Sequence, residues 1–400
     1  MKVGRFGDLL FRRLLLLAGA YFLFGFCSLA VIGLLPGMAR DLDESPEALA
    51  WLVATFSLAF AMGAVVGPMW SLRYPPRTVL VIGLLGLAIG AAALALATTS
   101  SQANVARWIQ GLSSALIGPT ALVFAIVLSP PELRGRALGM VFGGTMVAIV
   151  IGMPMTSWIG KWMPWRWIFA TLAMVSLVIA LSARLLLPKL SSGEGRRHGL
   201  EGILQTVVQP AVGLALLTTS LRMAAQFSCY TLIGSLAVNH FGLSAGSVAV
   251  VLFVYGVSGL AGNYASGHWL DRYGIAPVLR WCGIALVISY ACLTLLSASS
   301  AEALVWVSIV CWGFTSVMFA TPQQSFLARQ PAPSNVSVAL SLNAAASYAG
   351  MALGSGMASL IASRLDLGAV VWFSFFLSVL SIATSEMSLS LSRLTAGARE

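Results

Sequence analysis

A chain of 400 residues that is 58% hydrophobic, only 9% charged and carries a formal net charge of +10 is excluded from the soluble globular classes, whose charged fraction is roughly 25%. With mean hydropathy at +0.91, the chain belongs in lipid, where a crossing helix needs about 20 apolar residues. The five cysteines, Cys27, Cys229, Cys282, Cys292 and Cys311, all sit inside apolar runs without CxxC or metal-ligand spacing, which excludes a disulfide framework and a redox motif.

The chain opens with a basic stretch, Met1–Arg13, carrying Lys2, Arg5, Arg12 and Arg13. The apolar run behind it, Leu14–Ala39, is too long for the hydrophobic region of a signal peptide and shows no clear cleavage site, so it is expected to be a first span. Five more runs follow: Ala48–Leu72, Thr78–Thr99, Ala103–Leu128, Ala137–Gly160 and Trp165–Leu187. The one polar linker, Lys189–Gln209, contains Lys189, Glu194, Arg196, Arg197, His198 and Glu201. Six further runs complete the chain: Ala211–Val238, Ala245–Leu270, Ile275–Ser297, Ala303–Leu327, Val338–Ser363 and Gly368–Leu389. Closed barrels, the other structure that a bilayer permits, need alternating segments of about 10 residues, and these runs are longer and apolar on every face. The expected fold is therefore all-α: twelve transmembrane helices in two six-helix halves, residues 1–187 and 210–400, joined by a cytoplasmic linker at 188–209.

Lys and Arg set the orientation. With the N-terminus inside, seventeen of the 23 basic residues fall on the cytoplasmic side, four (Arg40, Lys161, Arg166, Arg364) on the other, and Arg107 and Arg222 within runs. Positive charge is retained on the inner side, so both termini are expected in the cytoplasm. Topology explains the basic balance better than a nucleic-acid partner does.

An internal repeat supports two related halves. The turn from Gly267 to Leu279, which includes His268, Trp269, Asp271, Arg272, Tyr273 and Gly274, superposes on Pro68 to Leu80 at an offset of 199, with Trp, Arg, Tyr, Val and Leu coinciding at five of thirteen positions. The copy has Leu72 in place of Asp271 and Pro75 in place of Gly274. A shift of 202 lays Ala137-Leu138 on Ala339-Leu340 and Gly152 on Gly354, so the fifth and eleventh runs are expected to be equivalent.

The Gly-x-x-x-Asp-Arg-x-Gly turn, together with Arg107-Trp108-Ile109-Gln110-Gly111 in the fourth run and Pro131 to Gly139 leading into the fifth, resembles the major facilitator superfamily. Gln226 to Thr231, Gly242 to Ala245, Gly256 to Asn263, Trp312-Gly313, Pro322-Gln323-Gln324 and Asn343 are most similar to its twelve-helix drug:proton antiporter group, in the sugar-efflux (arabinose-efflux-like) subgroup. The resemblance implies a transporter that exports a small organic solute against entering protons, in a bacterial cytoplasmic membrane. It departs from the antiporter pattern in the fifth run, which would want more glycines than Gly152 and Gly160 and where only Pro154 falls in place.

Ionisable groups inside a bilayer are costly and are read as functional by default. Arg222, about eleven residues into its run, is expected near mid-bilayer, where it could bind an anionic group of the substrate or pair with helix dipoles. Arg107 matches the family motif whose arginine is associated with proton coupling, and Gln110 and Asp41 join it as coupling candidates. Glu386 is expected to snorkel. The candidate substrate lining is polar and mostly uncharged: Gln226, Tyr230, Asn263, Trp312, Gln323, Asn343 and Tyr348, with Arg222. Amides donate and accept while rings stack, which suits sugars, nucleosides or planar drugs. Asp271, Arg272 and Gly274, with Gly152 and Pro154, are the gating candidates: by resemblance, Asp271 at a helix N-terminus closes the cytoplasmic gate. The six N-terminal runs hold no carboxylate, so proton coupling rests on the resemblance alone. Uptake or facilitated diffusion of a sugar or metabolite is the second reading, and a transport-dead sensor the remote one. No nucleophile elbow, Walker loop or His/Asp/Glu cluster points to an enzyme. The expected partners are a small-molecule substrate and the bilayer, with the chain a monomer, no metal or cofactor, and a proton gradient as the energy source.

Overall fold

With no water in the hydrocarbon to receive its peptide groups, an apolar run must close its backbone hydrogen bonds within itself. In the computed structural model, which describes residues 2–190, 206, 208–297, 299–330 and 336–397, the chain does this with helices throughout. They are α1 (Lys2–Leu42), α2 (Trp51–Arg73), α3 (Pro76–Ala95), α4 (Ser100–Leu128), α5 (Arg134–Val147), α6 (Met153–Ile159), α7 (Trp165–Leu186), α8 (Pro210–Thr231), α9 (Val248–Tyr273), α10 (Ile275–Thr294), α11 (Glu302–Met318), α12 (Ala320–Arg329), α13 (Val336–Arg364) and α14 (Leu367–Gly397). Among the described residues, eleven helical spans are long and apolar enough to cross a membrane, α5 with α6 and α11 with α12 each counting as one. α8 is not one of them, although its 22 residues reach about 33 Å at 1.5 Å per residue. Its polar side chains, among them Thr218, Thr219, Arg222 and Gln226, are buried against neighbouring helices.

Two of the expected runs are broken by proline. Pro154 follows a π-helical stretch, Ala148–Gly152, that separates α5 from α6. Pro322 separates α11 from α12, because a proline ring clashes with the carbonyl four residues back, here Met318, where α11 stops. The eighth and ninth runs meet at Gly274, whose φ of +80° and ψ of 177° lie in a region open to glycine alone. The copied turn is built differently. Pro75, at φ −55° and ψ 140°, caps α3 without any left-handed residue. The side chain of Leu72 lies outside the described residues.

The chain divides into two compact units, one of residues 1–44 and 55–197, the other of residues 45–54 and 198–400. Each unit packs its helices through glycine. In the first, Gly144 of α5 sits against the Ala18 carbonyl of α1, and a Cβ on Gly25 would lie 2.9 Å from Thr145. In the second, Gly350 and Gly354 of α13 sit against the Ser220 and Ala224 carbonyls of α8. The α2–α4 contact, Gly63 on Ala115 and Gly111 on the Phe56 carbonyl, has its counterpart in α9–α11, where Gly262 meets the Phe314 carbonyl and Gly313 the Tyr255 carbonyl. Small residues of this kind let helix backbones approach in lipid.

The ends of the first unit differ in charge. At one end Arg13 Nε donates to the Leu186 carbonyl at 2.8 Å and Arg77 Nη1 to the Arg184 carbonyl at 3.2 Å, so two cations occupy the negative C-terminus of α7. At the other end Asp41, closing α1, accepts from Trp165 Nε1 at 3.0 Å and from Arg166, which also donates to the Ala97 carbonyl.

Gly144→Leu and Gly350→Leu are expected to destabilise the protein by about 1–3 kcal/mol each, the usual cost of overpacking, read as a lowered unfolding temperature in detergent. Gly143→Leu, where an added Cβ meets nothing within 4 Å, serves as the control and leaves it unchanged. Gly274→Ala is expected to cost on the order of 1–3 kcal/mol through backbone strain alone, measured in the same way.

Candidate functional site

Among the described residues, each unit buries one guanidinium, and the two are held differently. Arg107 of α4 has no exposed surface. Its Nη1 donates to the Cys27 carbonyl at 2.7 Å and to Gln110 Oε1 at 2.8 Å, its Nη2 donates to the Ser28 carbonyl at 3.1 Å, and its Cζ lies 4.3 Å from the centre of the Phe56 ring. Carbonyl oxygens of α1, an amide and a ring face thus do the work of a carboxylate. Gly90 makes room for Gln110, since a Cβ there would lie 2.7 Å from its Cγ. The amide nitrogen of Gln110 is buried without a partner among the described residues. The coupling candidates are therefore brought together only in part. Asp41 lies 14 residues beyond Cys27 on α1, about 21 Å along the axis, and is occupied by Arg166 and Trp165.

Arg222 of α8 is 3% exposed. Its Nη2 donates to the Cys282 carbonyl of α10 at 2.7 Å, and its Cζ lies 4.2 Å from the Phe319 ring centre. Its Nε is buried with no partner among the described residues. One turn on, Gln226 Nε2 donates to the Tyr255 hydroxyl at 2.9 Å. Tyr230 packs on Tyr255 with ring centres 4.7 Å apart, Tyr255 on Trp312 at 4.7 Å, and Trp312 Nε1 donates to the Tyr290 hydroxyl at 3.0 Å. Tyr290 in turn donates to the Ala225 carbonyl at 2.8 Å. On the other side of Arg222, Gln323 Nε2 donates to the Ala215 carbonyl at 2.7 Å and to Thr219 Oγ1 at 3.1 Å, while Thr219 donates to Asn343 Oδ1 at 2.8 Å. Six of the eight candidate lining residues, Arg222, Gln226, Tyr230, Trp312, Gln323 and Asn343, thus form one buried polar and aromatic column along α8.

The other two stand apart. Asn263, half-buried, accepts from Thr321 Oγ1 at 2.9 Å across α9 and α12. Tyr348 is half-buried on α13. Tyr255, Tyr290, Thr219 and Phe319 were not legible as site residues, being ordinary members of apolar runs until the fold sets them around α8. An apolar cavity adjoins the column, lined by residues that include Cys229, Ile233, Val251, Leu293, Ile309 and Trp312.

Of the gating candidates, Asp271 is exposed on the last turn of α9 and has no hydrogen-bond or ion-pair partner among the described residues. Residues 331–335, which precede α13, lie outside the described residues. Arg272 lies 5.3 Å from the centre of the Tyr273 ring. Gly152 and Pro154 flank the junction between the π-helical stretch and α6, and a Cβ on Gly152 would lie 2.8 Å from the Phe26 ring. Glu386 does not stand alone as a snorkelling acid, because Arg280 holds it with two hydrogen bonds of 2.7 Å.

Helices long and apolar enough to cross a membrane, with charged and amide side chains buried inside each unit, mark a multi-pass membrane protein. The Major Facilitator Superfamily model matches residues 17–355, and the chain belongs to that family. Its relatives include the uncharacterised MFS-type transporter YtbD of Bacillus subtilis (strain 168), 27% identical over 362 residues that are 90% of each chain. A chloramphenicol resistance protein of Streptomyces lividans is 30% identical over 71% of this chain and 73% of that one. The inner membrane transport protein YdhP of Escherichia coli (strain K12) is 26% identical over 88% of each. Among solved structures, the nucleoside transporter NupG aligns with a TM-score of 0.74 at 14% identity over 94% of this chain and 99% of that one, which shows a shared fold. Members of this family are transporters, and the chain is not an enzyme.

Arg107→Lys removes the fork that reaches two carbonyls and Gln110 at once. It is expected to lower stability by about 1.5–3 kcal/mol, the worth of one charged hydrogen bond, measured by thermal unfolding in detergent. Gln323→Leu removes the amide that donates to the Ala215 carbonyl and to Thr219 and is expected to lower stability in the same measurement.

Proposed function

We infer that the chain is a secondary transporter of twelve spans that exports a small organic solute by alternating access, driven by protons moving inward. The resemblance to the chloramphenicol resistance protein carries the export reading. It agrees with the drug:proton antiporter and sugar-efflux resemblance of the C-terminal motifs. α8 is the twelfth span, its polarity spent on contacts inside its unit. The two termini are cytoplasmic, which accords with the gathering of Arg13, Arg77 and the C-terminus of α7 at one end of the first unit and of Asp41 and Arg166 at the other. The two halves, residues 1–187 and 210–400 with the linker between, carry alternating access as repeats do in transporters of this kind. The membrane is the bacterial cytoplasmic one, the working form a monomer, and no cofactor takes part.

The column along α8 supplies the substrate contacts, with Asn263 and Tyr348 as further contacts away from it, and Arg107 with Gln110 carries coupling. Asp41 is a coupling candidate only by opening its pair with Arg166. Asp271, Arg272 and Gly274 form the cytoplasmic gate, with Gly152 and Pro154 giving the fifth span its bend.

Expression in a bacterium stripped of its efflux pumps is expected to raise the tolerated concentration of at least one planar aromatic drug several-fold and to fail on collapse of the proton gradient. Arg107→Gln should abolish the gain while the protein is still inserted. Resistance that survives an uncoupler would sink the proton-driven reading, and uptake without export would favour facilitated diffusion.

A further inference from the structure

The contrast between the two buried guanidiniums points to a ligand for one of them. A guanidinium carries five donors and cannot discharge in a protein, so each donor buried without an acceptor costs free energy. Arg107 spends its terminal nitrogens on two carbonyls and an amide. Arg222 has one carbonyl and one ring, and its Nε is left buried without an acceptor among the described residues. None of the described acids of its unit neutralises it: Asp271 is exposed, Glu386 is held by Arg280, and none of Glu47, Glu302 and Asp366 forms an ion pair with it.

The neighbours say what else the ligand carries. Arg222, Gln226 and Tyr230 recur at four-residue spacing on one face of α8, each step about 6 Å along the axis. Beyond the guanidinium come an amide, the ring cluster of Tyr230, Tyr255 and Trp312, and then the apolar cavity beside Cys229. A charged donor at one end and a cluster of tilted and edge-on rings at the other suit a flat apolar body bearing an anionic group.

We propose that Arg222 is the anion-binding residue of a subsite in the second unit that takes an aromatic carboxylate, the carboxylate on the guanidinium and the ring toward Gln226, Tyr230 and Trp312. This rests on the transporter reading, because a residue 3% exposed is reached only when the unit opens during the transport cycle. It goes further in naming the substrate class as an organic anion.

The test uses the full-length protein in detergent with benzoate as the probe and benzamide, its uncharged isostere, as the comparison. Thermal unfolding is followed as each is titrated, and no transport or proton gradient is involved, so failure here is separate from failure of the export reading. Benzoate is expected to raise the unfolding temperature in a saturable way and benzamide to leave it unchanged. Arg222→Gln should weaken benzoate roughly tenfold to a hundredfold, the equivalent of one or two charged hydrogen bonds. Arg280→Gln, which alters an exposed cation of the same unit, should keep the full response. Equal effects of benzoate and benzamide on the unaltered protein overturn the proposal, and this comparison stands even if Arg222→Gln does not fold. A benzoate effect that survives Arg222→Gln, or that sodium chloride at the same concentration reproduces, also overturns it.

Discussion

Helices surrounded by hydrocarbon gain nothing by hiding apolar side chains from one another, so something other than the hydrophobic effect must hold each unit together. Here it is the approach of backbone to backbone at glycine. Gly144 on Ala18, Gly350 on Ser220, Gly111 on Phe56 and Gly262 on Phe314 each leave no volume for a Cβ between a glycine and a facing carbonyl. The same helix pairs use this device in both units, although the sequences have diverged until only fragments of the repeat can be aligned. What is shared between the halves is a set of places where no side chain fits.

That close packing determines how polar groups can be housed. Arg107 is tolerable because α1 lies near enough to offer it the carbonyls of Cys27 and Ser28. The hydroxyls and amides of α8 are satisfied in the same manner, Thr218 by Thr384, Thr231 by Ser355 and Ser220 by the Ala346 carbonyl. Contacts of this kind are worth little singly, about 0.6 kcal/mol on average in membrane proteins. In number they let a helix too polar for lipid stand among apolar ones. Arg222, with a donor left over, is where this economy is incomplete.

The repeated turn shows how homologous positions can reach one geometry by different chemistry. Gly274 ends α9 and begins α10 through a left-handed conformation, whereas Pro75 starts α3 with a φ that its ring already imposes. Both reverse the chain between adjacent spans. An acidic side chain is available in only one of them, and in that one Asp271 is exposed.

By itself the sequence determined that the chain lies in a membrane, that it is helical and where most spans fall, and it offered a repeat at an offset of 199. Each of these follows from hydropathy, from the length needed to cross a bilayer and from local repetition, all of which are one-dimensional properties. It also marked Arg107, Arg222 and most of the amides and rings around them, because charge and polarity are conspicuous in an apolar run. Only the tertiary structure decided which of these meet. Asp41 lies about 21 Å along α1 from Cys27, whose carbonyl holds Arg107, while Gln323 and Thr219, 104 residues distant in sequence, touch. Tyr255, Tyr290 and Phe319 were invisible as site residues for the same reason. An aromatic residue in a span signals burial, and its neighbours are set by which helix faces it. The difference between a guanidinium whose acceptors are supplied and one that lacks them depends on which helices lie beside it and how near, and no local pattern records that.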